Sequence, residues 1–458
     1  MKNPKGNNSK DTVINLLKEG KFSKKNIDGI TVLYNRASSD WMQEARVCFI
    51  TKYKTEAEAK RQAELIGFYR QAVQEGTINN TSSDALERAM IEAGANQDFF
   101  GIDQVKDRIS LCLPIIMPSG TTGLTAANKG LKFIDEIIKD SLAFSEKGNE
   151  IIENTRRQCI IDVKGLIRNH RYMGINAFNK KFFPGSEDLS IEEIVKIVSE
   201  AKADDLKNSF ENHMANSFPI VIFSGNSKLE KCLSAILPFV KKYAGNGKEK
   251  EVLEDIEITS IKKREKLYEV YGPSEQMIFL CAYPFAQTPK EKSEIASLII
   301  ANRIFGAGWD SNLMNALRHE NNLVYSADSQ FYMTKNMFFV QIQHNPKYLR
   351  RVIELTDKSL EKMLKGISQI KFNNVRDEIT EEVLVHYSSN DLLCCNQPGF
   401  RVSAAYNDLI KSENKLTSEE MIEEIEKLSK GDIEKTARKY LDKERKQILT
   451  YSSKCEKK

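Results

Sequence analysis

The stretch IANRIFGAGWDSNLMNALRHENNLVYSADSQF (300–331) changes its apolar period twice. It leaves a long helix, breaks at the small-residue turn FGAG (305–308), re-enters a short helix and emerges as an alternating strand. This places Arg318 at the end of a helix and Tyr325 at the start of a strand. A guanidinium is a planar fork of donors for carbonyl or carboxylate oxygens. A phenol can donate to a developing oxyanion. The spacing across a helix–strand junction can bring both side chains to one sheet edge. Taken alone, an Arg and a Tyr beside a surface loop are more often structural than functional.

The flanking sequence continues the same order of elements. Before the stretch come a strand, QMIFLCAY (276–283), and a helix over 289–305. A short helix (311–320) and a hairpin (324–331 and 336–344) follow. Helical blocks at 347–366, 370–390 and 418–441 lead to a closing strand, RKQILTY (445–451). The first half of the chain runs through the same series. A strand, RVCFITK (46–52), leads to helices over 56–75 and 84–94, the second stopped by Gly94. Extended stretches at 97–104 and 108–117 follow, then helical blocks at 122–143, 146–171 and 191–216, and a strand at 219–225. Matching elements are offset by roughly 230 residues, the mark of an internal duplication.

Helices that follow runs of strands predict an α+β fold of two tandem homologous domains. Each is expected to be a mostly antiparallel sheet covered by helices on one face. The first domain is assigned to 1–245, a charged linker to 246–270 and the second domain to 271–458. KEKEVLEDIEITSIKKREK (248–266) reads as solvated. Each half is large enough for its own core.

The 458 residues exclude a single small core, at roughly 100–200 residues per domain. With 68 Lys+Arg against 64 Asp+Glu the net charge is +4, which leaves no footprint for nucleic acid. No run approaches ~20 apolar residues, so no membrane partner is expected. The N-terminal MKNPKGNNSKDTVINLLKEG is polar and lacks a secretory apolar core, so a cytoplasmic location is expected. Eight cysteines, none in a CxxC pair, lie mostly in apolar runs and read as buried reduced thiols. The five histidines (170, 213, 319, 344 and 386) are too dispersed for HExxH or HxxEH.

The 300–331 stretch resembles the second-domain signature of the pitrilysin/insulinase family of zinc metallopeptidases, which includes mitochondrial processing peptidase. The match is carried by Ser311, Leu313, Leu317, Arg318, Leu323, Tyr325 and Ser326. The resemblance implies that Arg318 and Tyr325 line a substrate chamber and hold the peptide backbone opposite the zinc of another domain. In the first half, ALERAMIEAGANQDFF (85–100) is similar to the helix and turn that follow the family's zinc helix. Counting back from Gly76-Thr77, the family's HxxEH falls on 67–71. This chain has Gly67, Phe68, Tyr69, Arg70 and Gln71 there. The third zinc ligand of the family would fall in 146–156, where Glu150 and Glu153 stand. The motif is therefore degenerate at Gly67, Arg70 and Gln71, and no metal or other cofactor is expected in this chain.

NHRYMGINAFNKKFFPGSEDLSIEEI (169–194) is similar in organisation to the non-catalytic member of bacterial paired peptidases. A processing-peptidase alpha-like subunit fits less well, since the second half has no glycine-rich loop. The resemblance implies a chain that is not catalytic alone. Its partner would be a homologous zinc-bearing subunit in a heterodimer, with a peptide as substrate. The alternative is a purely structural homologue of the same fold.

Overall fold

The computed structural model describes residues 22–36, 42–93, 100–119, 121–146, 148–184, 188–253, 258–261, 267–272, 276–387, 398–410 and 416–452. The expected stop at Gly94, the start of the 97–104 stretch, and Cys394, Cys395 and Cys455 lie outside these residues.

The first sheet contains β1 (Ser23–Ile27), β2 (Ile30–Arg36), β3 (Met42–Lys52), β4 (Gly101–Val105), β5 (Arg108–Pro118) and β6 (Phe218–Gly225), in the order β1-β2-β6-β3-β5-β4. β2 and β6 are parallel and the other neighbours antiparallel. The second sheet contains β7 (Tyr268–Tyr271), β8 (Met277–Pro284), β9 (Val324–Tyr332), β10 (Met337–His344) and β11 (Gln447–Ser452), in the order β7-β11-β8-β10-β9. Here β7 and β11 are parallel and the rest antiparallel. From β2 to β4 the first sheet repeats the second strand for strand and sense for sense. The duplication read from the element order is thus present in the strand pairing, and β1 is an addition to the first sheet.

The central strands β6, β8 and β11 are buried at every residue. Both faces of these strands must therefore be covered, which explains the nearly continuous apolar sequences of β6 and β8. On the main helical side of the second sheet, Phe279, Cys281, Tyr283, Val340 and Ile342 pack with Leu298, Leu355 and Ile433. On its opposite face, Ile278, Leu280, Phe339 and Tyr451 meet Phe178, Phe182 and Phe183. These phenylalanines belong to the helix His170–Phe182 and its C-terminal cap. In the first sheet, Leu33, Cys48, Ile220 and Ile222 pack with Val402, Ala405 and Tyr406 of the helix Pro398–Ile410.

Packing therefore groups the chain into two compact units that are not contiguous in sequence. One comprises residues 1–164, 191–254 and 384–410; the other comprises 165–190, 255–383 and 411–458. This grouping differs from a simple cut at 246–270 in these two helices. Each half of the sequence supplies one helix that completes the other unit's core.

Several local expectations change. The single helix expected over 146–171 is two, Gly148–Gly165 and His170–Phe182. Asn169 breaks it, leaving the helical conformation and accepting from the Tyr172 amide to cap the second helix. The block at 191–216 likewise divides into Ile191–Glu200 and Ala203–Ala215. The charged stretch between the halves is not solvated throughout, because Val252 is buried with the first unit's core. The expectation of reduced cysteines fails at one pair. Cys48 and Cys112 face each other in register on β3 and β5 and form a disulfide with a Cα–Cα distance of 4.2 Å. That pairing is created by sheet register and has no local sequence signal. Cys159, Cys232 and Cys281 are free and buried, as expected.

Candidate functional site

The helix Glu56–Val73 starts at Thr55, whose hydroxyl accepts from the Glu58 amide at 3.1 Å, with two acidic residues in its first turn. Its buried face carries Leu65, Phe68, Tyr69 and Ala72. Tyr69 stacks on Phe210 with ring centroids 4.4 Å apart. Positions 67–71, where the resemblance places the family motif, lie on this helix. Gly67 is half-buried, and a Cβ built on it meets only Ile102 at 3.9 Å. Glycine is therefore not demanded there by space or backbone. Gln71 accepts from the Cys159 thiol at 2.8 Å. Arg70 is half-buried on the same helix.

The helix Gly148–Gly165 brings a guanidinium to this place. The Arg156 carbon lies 5.4 Å from the Phe68 ring centroid. Its donors reach the carbonyls of Val198, Ser199 (3.1 Å) and Ala201 (2.8 Å), at the end of the helix Ile191–Glu200. Glu153 is spent in an ion pair with Arg156 at 3.1 Å, and Glu150 is exposed. Zinc requires a set of neutral nitrogen, thiolate or carboxylate donors at fixed geometry. A glycine, an amide and two arginines do not fit that requirement. Among the described residues, no group of three or more His, Cys, Asp or Glu could hold a metal ion.

The sequence stretch at 300–331 builds a different kind of site. The helix Lys292–Phe305 ends at Gly306, where a Cβ would stand 2.4 Å from the Ser329 hydroxyl on β9. Asn302 and Ser329 lock the same approach, with the Ser329 hydroxyl donating to the Asn302 side chain at 2.8 Å. Gly308 has φ +143°, a conformation that L side chains rarely adopt. Ser311 then caps the helical turn Asn312–Met314, which widens into a π turn at Asn315–His319. Such turns are frequent at functional sites. Leu313 and Leu317 are fully buried and anchor the turn.

Arg318 and Tyr325 come together as the sequence spacing suggests. An Arg318 Nη donates to the Tyr325 carbonyl, and the guanidinium carbon lies 4.6 Å from the Tyr325 ring centroid. Tyr325 lies on β9, an edge strand, and is 83% exposed. The pair lines a groove of about 450 Å³ with Gln276, Asn322, Gln343 and His344. Burial pushes the His344 imidazole below its ordinary pKa. Trp309, which the sequence reading passed over, places its ring centroid 4.7 Å from the Arg318 guanidinium carbon. Its only advance signal is an aromatic directly after the FGAG turn. A larger cavity of about 750 Å³ in the first unit is lined by Lys52, Glu58, Arg61 and Asp205 and contains none of the expected site residues.

Residues 200–379 match the family model described as the peptidase M16 inactive domain. This match includes Arg318 and Tyr325 and excludes the helix Glu56–Val73. No curated protein matches the chain by sequence. Its fold is similar to a conserved protein from Enterococcus faecalis V583, at 16% identity and TM-score 0.72, over 96% of this chain and 100% of that one. It is also similar to a peptidase M16 inactive domain from Pseudomonas fluorescens, at 15% identity and TM-score 0.68, over 96% and 99% of the two chains. A protease from Helicobacter pylori matches at 14% identity and TM-score 0.69, over 94% and 99%. The resemblance to a non-catalytic pitrilysin-type chain and the two-domain α+β architecture are thereby borne out.

Proposed function

We propose that this chain, an M16-type homologue without the zinc motif, is the non-catalytic subunit of a heterodimeric pitrilysin/insulinase-like metallopeptidase. It lends Arg318 and Tyr325 to the active site of a homologous, zinc-bearing partner, where they hold a peptide substrate. The observation that carries this reading is the state of Arg318. It is fixed by the Tyr325 carbonyl and two aromatic rings, yet it has no carboxylate partner among the described residues. Arg303, at the end of the preceding helix, is by contrast held by Glu378 and Glu382.

Co-purification from the native cell followed by mass spectrometry tests the reading. A homologue with an intact HxxEH is expected in the complex, with chelator-sensitive peptide hydrolysis by the complex and none by this chain alone. Recovery only as a homodimer, or only with partners that bind no zinc, would replace this reading with that of a structural homologue.

A further inference from the structure

Arg318 lies against two aromatic rings. The Trp309 and Tyr325 ring centroids lie 4.7 Å and 4.6 Å from its guanidinium carbon. A guanidinium carries its donors in its own plane, and packing against rings restricts the group without using those donors. One donor goes to the Tyr325 carbonyl. The rest have no protein acceptor among the described residues. Both rings are open to solvent, Trp309 at 64% and Tyr325 at 83%.

The groove beside this clamp has an unusual charge balance. Among the described residues that line it, Gln276, Asn322, Ser326, Gln343 and His344 with their neighbours, none is a carboxylate. His344 donates from Nδ1 to the Asn345 carbonyl at 2.8 Å and is buried. Among the described lining residues Arg318 is thus the one permanent charge, a cation beside amides and hydroxyls. An oriented guanidinium fork matches a carboxylate in two parallel hydrogen bonds, and charge assistance makes these stronger than bonds to a neutral carbonyl.

We infer that the Trp309–Arg318–Tyr325 clamp is a carboxylate-receiving site, and that the peptides bound in this groove present a free carboxylate, at the C-terminus or on an acidic side chain. Trp309 is a positioning residue that acts through Arg318. The inference rests on the reading of this groove as a peptide site and adds the class of peptide to it.

Trp41 and Trp309 are the two tryptophans of the chain. In the full-length Trp41→Phe variant, Trp309 reports on its own site by fluorescence. Three N-acetylated peptides of alanine and glycine serve as probes: one with a free C-terminal carboxylate, its C-terminal amide, and an amidated version with one internal glutamate. The acid is expected to shift Trp309 emission saturably and to bind at least tenfold tighter than its neutral amide. If the internal glutamate matches the acid, a side-chain carboxylate suffices; if it matches the neutral amide, the terminus is read, and either result supports the site. Arg318→Gln should abolish the preference for acid over amide. By calorimetry, Trp309→Leu should reduce that preference several-fold and Trp309→Tyr should restore it, which a merely structural tryptophan would not do. Equal binding of acid and amide, still dependent on Arg318, would overturn the carboxylate site and leave the peptide groove standing. No binding of any peptide, or binding indifferent to Arg318→Gln, would overturn both.

Discussion

Arg318 and Tyr325 form a site whose parts have separable roles. Arg318 is half-exposed and has no ion pair among the described residues, so its loss leaves no buried charge of theirs uncompensated. Arg318→Ala and Tyr325→Phe should therefore assemble with the partner normally and shift the thermal midpoint little. Loss of one oxyanion-type donor costs about 10²–10³ in turnover, and a contact that only binds costs about 1 kcal/mol. Activity of the purified complex should fall at least tenfold in each variant, and unchanged activity per assembled complex would remove these residues from the site. His213 makes a different prediction. It is buried with Nδ1 at 3.0 Å from the Tyr53 hydroxyl and Nε2 at 3.1 Å from the Phe49 carbonyl, and burial lowers its pKa to about 4. The unfolded chain keeps its proton up to about pH 6.5, whereas the folded chain has released it. Lowering the pH from about 6.5 toward 4 should therefore favour unfolding, by as much as about 3 kcal/mol. Urea titrations across this range should show that slope, and it should flatten in His213→Gln.

At the scale of elements, the site depends on one close approach between a helix end and a strand. Gly306 lets the end of Lys292–Phe305 touch β9 at Ser329, and the Asn302–Ser329 hydrogen bonds hold it there. Gly306→Ala must push β9 or the helix aside, at a cost of about 1–3 kcal/mol. The same shift moves Tyr325 relative to Arg318. Denaturant midpoints should fall in the variant, and Ser329→Ala should restore only part, because the Ser329 Cβ also lies 2.7 Å from the added methyl. The helices around this contact were legible from spacing. The π turn was not, since a 311–320 helix looks the same in sequence whether its last turn closes at four residues or five. Nor was the break at Asn169, where a single side-chain cap divides a run whose apolar period continues through it.

At the scale of the molecule, the two exchanged helices decide what can fold by itself. Residues 1–245 alone would lack Pro398–Ile410 and expose Leu33, Ile220 and Ile222 on a sheet that is otherwise buried. That fragment should be insoluble or should lack cooperative unfolding, even though its length suffices for a core. Adding the segment 384–410 as a flexible C-terminal fusion should recover a cooperative transition by calorimetry. A stable, cooperative 1–245 fragment would show that this helix is dispensable to the first sheet. The second sheet has the same requirement for His170–Phe182, whose Phe178 lies 5.0 Å from Phe339.

By itself the sequence determined the order of helices and strands, the duplication and the dispersal of five histidines that rules out HExxH and HxxEH. These are written in local periodicity and in residue identity at counted positions. It also placed Arg318 and Tyr325 near one another, because only a short junction separates them. Tertiary structure alone decided what covers the second face of each sheet, which cysteines meet, and that Trp309 completes the clamp on Arg318. The physical reason is distance along the chain. Helix 398–410 packs on strands more than a hundred residues away, and Cys48 meets Cys112 across 64 residues, so these contacts follow from register and burial rather than from any local pattern.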